Sequence, residues 1–372
     1  MSDIGAPKSV FIIAGEASGD VLGGALLTDL LKTYPNIKIY GIGGDLIQEK
    51  GTFKSLFPMS DLSVMGISEI LPKISMLLNR IKVTVEEIER VQPNIILTID
   101  APDFCFRVVK RVRKRGVCPN TKFVHYVAPT VWAWRAGRAK KVATLYDKIL
   151  CLLPFEPPYF TKHGMQACFV GHPVMNSPLL QGNKDVFSKD STESLGVFLG
   201  SRRGELKRTG AIIAETALKW LNAHPNRQLI IPTLDYIYDD VQALFPKQAN
   251  IIIITDQMQG KADAFAAMDL AIAVSGTIGL ELSACGIPHL VAYKASPLTA
   301  LIVGMLIKTK YAHLTNIMMD QAIIPEYIQG NCTVDKLYEG LDTLNVEAQR
   351  AAFKTVSAQL SPPDDIARHL LT

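Results

Sequence analysis

Ser275-Gly276-Thr277-Ile278-Gly279-Leu280-Glu281 follows the apolar run Leu270-Ala271-Ile272-Ala273-Val274 and precedes Pro288-His289-Leu290-Val291-Ala292. A strand-length apolar run, a turn of small residues, a segment of helix formers and a second apolar run spell a buried strand, a tight turn, a helix and the next parallel strand. In such a unit the first helical amides face the crevice at the carboxyl end of the sheet, where an anion such as a diphosphate can accept them. Thr277 and Glu281 lie one turn apart and share a helix face. The carboxylate is then placed to accept hydrogen bonds from ribose hydroxyls, while Ser275, Gly276 and Thr277 hold phosphates. The same stretch also reads as an ordinary helix start with a Ser or Thr cap, so the rest of the chain has to decide.

At 372 residues the chain can form two domains, each with its own core. A hydrophobic fraction of 48% with 20% charged residues excludes a disordered chain. No apolar run reaches the roughly 18 residues of a membrane span, the nearest being residues 298–307. Residues 1–8 lack the basic start and apolar core of a secretory leader, so a cytoplasmic location is expected. The cysteines are scattered, with no close pair at metal-ligand or redox spacing, which points to reduced thiols and no zinc site. A net charge of +4 is too mild to argue for nucleic acid and suits an anionic ligand or an anionic lipid surface.

Residues 10–14 form a second strand signal, running into Gly15-Glu16-Ala17-Ser18-Gly19-Asp20 and a helix to about residue 33. Two glycines among small residues also suit a plain tight turn. The pair Glu16 and Asp20, with Ser18 between, offers acceptors for a polyhydroxylated ligand or a helix cap. Strands follow at 37–42 and 94–99, and the second ends in Asp100-Ala101-Pro102-Asp103, placing Asp100 at a strand end where open α/β sheets put their active sites. Asp103 suits a helix cap. Residues 64–85 carry an apolar stripe at helical spacing, read as core or as a surface for acyl chains, and the helix after Asp103 carries Lys110, Arg111, Arg113, Lys114 and Arg115.

His125 stands inside a strand at 123–127, and Trp132, Trp134 and Arg135 follow in one loop, able to stack on a sugar or to plug the fold. Strands at 149–153 and 169–174 lead to a polar stretch, which sets the domain boundary within 173–194. The second half repeats the alternation. Residues 195–199 run into Gly200-Ser201-Arg202, an arginine in the anion position, and a helix to about 223; strands are expected at 228–232 and 250–255 and a short helix at 260–268. Residues 311–316 and 325–329 read as polar loops and 334–360 as helix.

Ala14-Gly15-Glu16-Ala17-Ser18-Gly19-Asp20, Val64-Met65-Gly66-Ile67, Ile99-Asp100-Ala101-Pro102-Asp103-Phe104, His125-Tyr126-Val127, Val131-Trp132-Ala133-Trp134-Arg135, Leu153-Pro154-Phe155-Glu156, Gly171-His172-Pro173, Gly200-Ser201-Arg202 and Ser275-Gly276-Thr277 stand in this order. Over nearly the whole chain the set resembles the lipid-A-disaccharide synthase family. The resemblance implies an α/β fold of the GT-B type, two Rossmann-like domains with parallel sheets facing across a cleft: residues 1–175 for acceptor and lipid, residues 190–360 for the UDP-sugar, and a C-terminal helix at 361–372 packing back on the first. It implies an enzyme joining UDP-2,3-diacylglucosamine to 2,3-diacylglucosamine 1-phosphate, with a β(1→6) link, and releasing UDP. Such an enzyme would be peripheral on the cytoplasmic face of an inner membrane. The loop with Asn316 matches the family's second-half pattern loosely, and Asn316 is carried as a substrate-binding candidate.

An α-linked donor giving a β-linked product means inversion, so one carboxylate can act as general base on the acceptor hydroxyl. Asp100 is the expected base, with Glu16 or Asp103 as alternatives. The chain has no Asp-x-Asp motif, so no metal and no other cofactor is expected, and the leaving diphosphate is assigned to Arg202, Gly200, Ser201 and the 275–277 helix start. A UDP-sugar 2-epimerase on the same fold and a non-catalytic lipid-surface protein are the competing readings. Acyl-chain length and oligomeric state are left open, with a homodimer among the options.

Overall fold

The apolar runs of the first half become β1 (Ser9–Ala14), β2 (Lys38–Ile42), β3 (Ile95–Ile99), β4 (Lys122–Tyr126), β5 (Lys148–Cys151) and β6 (Gln166–Phe169). They pair in parallel in the order β2-β1-β3-β4-β5-β6, each pair needing a crossover, which is why helices alternate with strands. Side-chain alternation divides the sheet into two apolar faces. Phe11, Ile13, Ile96 and Phe123 pack under the helices Ile67–Val91 and Pro102–Arg115 through Ile81, Val85, Val108 and Val112. Val10, Ile12, Leu97 and Ile99 pack under the Ala17–Thr33 helix through Leu22 and Leu26, and the Ile366–Leu371 helix adds Ala367 and Leu370 to that face.

The second half forms β7 (Glu193–Phe198), β8 (Arg227–Thr233), β9 (Ile251–Thr255), β10 (Leu270–Val274), β11 (His289–Tyr293) and β12 (Glu326–Ile328), parallel in the order β12-β11-β10-β7-β8-β9. Its faces alternate in the same way, with Val197, Ile231 and Ile272 on one side and Phe198, Ile230 and Ala271 on the other. The computed structural model describes residues 8–62, 67–134, 137–187, 193–223, 226–255, 260–296, 309–363 and 366–371. The chain divides into two units, Met1–His172 with Pro362–Thr372, and Pro173–Ser361.

Several elements differ from the sequence expectation. Residues 311–316 and 325–329 are not simply loops: they contribute the Leu314–Met319 helix and β12, because Val291–Tyr293 on β11 is free to pair and Glu326-Tyr327-Ile328 fills that edge in register. The stretch 334–360 is two helices, Val334–Asp342 and Val346–Leu360, the second capped by Asn345, whose side chain accepts from the Ala348 amide at 3.0 Å. The helix after Arg202 is interrupted by a π-helical segment, Leu206–Gly210, before Ala211–Asn222. Thr209 ties that segment to the end of β11, its hydroxyl accepting from the Lys294 amide at 3.0 Å. Among the described residues no helix is long and apolar enough to cross a membrane.

Candidate active site

In the first unit, register sets three turns side by side. Ala14 pairs with Ile99 and Ile99 with Tyr126, so Gly15-Glu16, Asp100-Ala101 and Val127-Ala128 leave the carboxyl edge of the sheet together. Asp100, Ala101 and Val127 have φ of 50°, 42° and 77°. Left-handed backbone at non-glycine residues costs about 1–3 kcal/mol each, and it clusters where the surrounding fold imposes a functional geometry. The bend sends the chain into the Pro102–Arg115 helix, with proline at its first position. The partly exposed Asp100 lines a pocket of about 230 Å³ with Val127, Thr130, Trp134 and Arg138. Gly15 lets the neighbouring turn approach: a Cβ there would lie 2.6 Å from the Ala101 Cβ. Glu16 precedes the Ala17–Thr33 helix without capping it, and its carboxyl is raised above the usual range, first by burial and then by the charge of Asp100.

Trp134 donates its indole N–H to the Thr130 hydroxyl at 3.3 Å, which closes the turn on itself at the pocket wall. Ser18 is exposed on the first helical turn. Asp103 is almost fully exposed, 3.7 Å from Arg138. Arg135 lies outside the described residues.

In the second unit, β7 and β10 pair so that Phe198 faces Ala273, which brings the Gly200-Ser201-Arg202 turn beside Ser275-Gly276-Thr277. Both turns line one pocket of about 750 Å³, within the roughly 300–1,000 Å³ of small-molecule sites. Gly200 has φ of 97°, so the turn requires glycine. Arg202 is largely exposed, its guanidinium 3.6 Å from Glu205. The Ser201 amide donates to the same carboxylate at 3.3 Å, and the Tyr236 hydroxyl donates to the Ser201 carbonyl. The Ser275 amide donates to the Ala292 carbonyl at 3.0 Å as part of the sheet ladder. Among the described residues, the amides left for an anion at this helix start are therefore those of Gly276, Thr277 and Ile278. The helix, Ile278–Ala284, has only seven residues, so hydroxyls and Arg202 carry more of the available positive potential than a helix dipole does. Glu281, half-buried on that helix, does not line the pocket.

Three side chains expected at ligands are used inside the fold. The Asp20 carboxylate accepts from the Leu46 and Ile47 amides, both at 3.1 Å, satisfying the start of the Asp45–Gly51 helix. His125 is fully buried, its Nδ1 2.7 Å from the Thr98 hydroxyl and its ring edge-on to Phe106; burial pushes its pKa down to about 3. Asn316 is fully buried and spends its amide on the turn before β12: its oxygen accepts from the Ile323 and Ile324 amides, and its nitrogen donates to the Ile324 carbonyl and to Glu326. The sequence reading missed Glu205, Arg138, Lys261 and Gln329, which line the two pockets, and Glu156, buried beside Trp132. Glu205 stands three residues after Arg202, the residue before the helix, the place from which an acid can reach back to a free amide. Burial of Glu156 has no local signal. Among the described residues, no three His, Cys, Asp or Glu side chains cluster as metal ligands.

A family model described as lipid-A-disaccharide synthetase matches residues 10–361. The lipid-A-disaccharide synthase of Rhodospirillum centenum is 40% identical over 345 residues, covering 91% of this chain and 85% of that protein. The Rickettsia prowazekii synthase is 38% identical over 368 residues, covering 95% and 93%. Among solved structures, the UDP-GlcNAc 2-epimerase from Neisseria meningitidis bound to UDP-GlcNAc aligns with a TM-score of 0.57 at 12% identity, covering 96% of this chain and 95% of that one. A spinosyn rhamnosyltransferase complexed with thymidine diphosphate aligns with a TM-score of 0.57 at 12% identity, covering 98% and 99%. At such identities these two likenesses speak for the GT-B fold alone. The match over nearly the whole length decides more: the chain belongs to the lipid-A-disaccharide synthase family.

Proposed function

We infer that the protein is an inverting glycosyltransferase of lipid A biosynthesis, joining UDP-2,3-diacylglucosamine to 2,3-diacylglucosamine 1-phosphate and releasing UDP. The observation that carries this reading is the family match across residues 10–361. The epimerase likeness is one of fold only. In the proposed mechanism Asp100 takes the proton from the acceptor's 6-hydroxyl as that oxygen attacks the donor's anomeric carbon. Its place at a strand end, in a bend held by two left-handed residues, supports a rigidly aimed base. Glu16, its pKa raised beside Asp100, is proposed to hydrogen-bond the acceptor rather than to take the proton.

On the nucleotide side, Arg202, the hydroxyls of Ser275 and Thr277 and the amides from Gly276 onward are proposed to hold the diphosphate as charge develops on it. Glu205 occupies the Ser201 amide and pairs with Arg202, so diphosphate binding would have to compete with it for Arg202. The deciding experiment is mass spectrometry of the product formed from the two acylated substrates. The expected result is the disaccharide 1-phosphate with equimolar UDP. A 2-epimerised UDP-sugar as the sole product would overturn the reading.

Peripheral attachment to the inner membrane is part of the same proposal, since both substrates are acylated. Ile74 and Leu78 are 41% and 42% exposed on the Ile67–Val91 helix, beside a helix exposing Arg107, Lys110, Arg111 and Lys114. Exposed apolar residues on one helix and exposed cations on the helix packed beside it suit an anionic lipid surface. The runs at 64–66 and 298–308 lie outside the described residues.

A further inference from the structure

Trp132 and Trp134 sit in one turn and serve different ends. Trp134 lines the Asp100 pocket. Trp132 does not; its indole N–H donates to Glu156 Oε1 at 3.1 Å, and its ring meets Phe155 edge-on, centroids 5.3 Å apart. Glu156 Oε2 accepts from the Leu153 amide at 3.0 Å. Glu156 is only 3% exposed, and no salt bridge reaches it among the described residues. Cys151 at the end of β5 faces it, and burial, with the charge of Glu156, holds that thiol neutral. On the sides of the turn and of the 152–153 backbone Glu156 meets N–H donors.

We propose that Glu156 is a positioning residue for the acceptor side of the reaction: ionised, it anchors Trp132 and so fixes the turn, residues 130–134, that walls the Asp100 pocket. The reason is one of charge. Each carboxylate oxygen accepts from an N–H donor; a neutral acid keeps lone pairs on both oxygens but loses the charge assistance, so protonation weakens the hydrogen bonds that hold Trp132 and the 153 amide. Burial pushes the Glu156 carboxyl up to about 7 against the donors from Leu153, Trp132 and Leu152, so the strength of the anchor would change around that pH. The inference rests on reading the Asp100 pocket as the acceptor side.

The experiment follows the Trp132 indole N–H by NMR and, in parallel, both Michaelis constants between pH 5.5 and 8.5, in wild type and Glu156→Gln. The glutamine removes the charge at every pH, and its NH2 group, which cannot accept, must face one of the same N–H donors. In wild type the Trp132 resonance is expected to titrate near pH 7, and KM for the acceptor to rise as pH falls through that value, with KM for the UDP donor flat. In Glu156→Gln the acceptor KM is expected to be about ten-fold higher at pH 8, the scale of one lost charge-assisted hydrogen bond, without the pH step. A Trp132 resonance that does not move, or one that moves while acceptor KM stays flat, overturns the proposal. The wild-type titration decides the matter even if the variant fails to fold. Failure of the underlying reading shows separately, as an Asp100→Ala enzyme whose turnover and acceptor KM both match wild type.

Discussion

His313 and His289 meet ring to ring, Nε2 to Nε2 at 3.0 Å, both buried beneath the helix start that lines the larger pocket. The neighbours dictate where the protons are. His313 Nδ1 accepts from the Thr315 amide at 3.1 Å, so its proton is on Nε2 and donates to His289 Nε2. His289 then carries its own proton on Nδ1, donated to the Ile287 carbonyl at 2.8 Å. A Cβ on Gly279 would lie 2.3 Å from His313 Nε2, so the pair supports the Ile278–Ala284 helix directly. Each ring has one proton and no place for a second.

Acid should therefore loosen this unit. Burial pushes His289 down to about 4 from 6.5, and burial together with His289 pushes His313 well down. Above pH 6.5 both folded and unfolded chains hold neutral rings and nothing is lost. Between 6.5 and 4 the unfolded chain binds protons that the folded one refuses, so stability declines by about 1.4 kcal/mol per pH unit for each such ring. His125 and His172, pushed down to about 3 and about 4, act in the same direction in the first unit. Urea midpoints at pH 7.5 and pH 5 check this; an equal or higher midpoint at pH 5 contradicts it.

Asp100→Ala is expected to reduce turnover by about 100- to 10,000-fold, the range for loss of a general base, while UDP affinity is unchanged. The two pockets are built from different units, which motivates the separation. Activity within a few-fold of wild type, measured as UDP release, moves the role to Glu16 or Asp103.

Gly15→Ala places a methyl group 2.6 Å from the Ala101 Cβ, and one of the two turns must shift. Overpacking of this kind costs about 1–3 kcal/mol, and here the shift passes to Asp100. Turnover should fall more steeply than UDP affinity. Unchanged kcat in a stably folded variant would show that the approach of the two turns does not matter to the chemistry.

Arg202→Ala should lower turnover by roughly 100-fold, the scale of removing one preorganised donor from a developing oxyanion, and turnover should persist in excess EDTA. Loss of activity on chelation with recovery in Mg²⁺ or Mn²⁺ would require a bound cation in place of these donors.

Membrane attachment through the exposed cations of the Pro102–Arg115 helix predicts partial release of the protein from anionic vesicles at high salt. Lys110→Glu with Arg111→Glu should weaken vesicle binding in cosedimentation at low salt, leaving turnover on detergent-dispersed substrates in place. Binding insensitive to both salt and charge reversal would remove the electrostatic part of the proposal.

The sequence by itself determined what local pattern can carry. Runs of β-branched and aliphatic residues ending in small or acidic turn residues read correctly as parallel strands, Leu270–Val274 and Ile95–Ile99 among them, because hydrophobic period and turn chemistry are properties of neighbouring residues. The family motifs, spread over most of the chain, belong to the same level. Tertiary structure alone decided how polar side chains are spent. Asp20 is consumed by amides 26 and 27 residues away and Nδ1 of His125 by a hydroxyl on the adjacent strand, whereas Glu156 and Glu205, neither singled out by its neighbours in sequence, bind fixed N–H donors. β12 exists because the edge of β11 is there to pair with, not because Glu326-Tyr327-Ile328 looks like a strand. A buried polar group must find its partner wherever the fold brings one, and that distance is not written in the residues beside it.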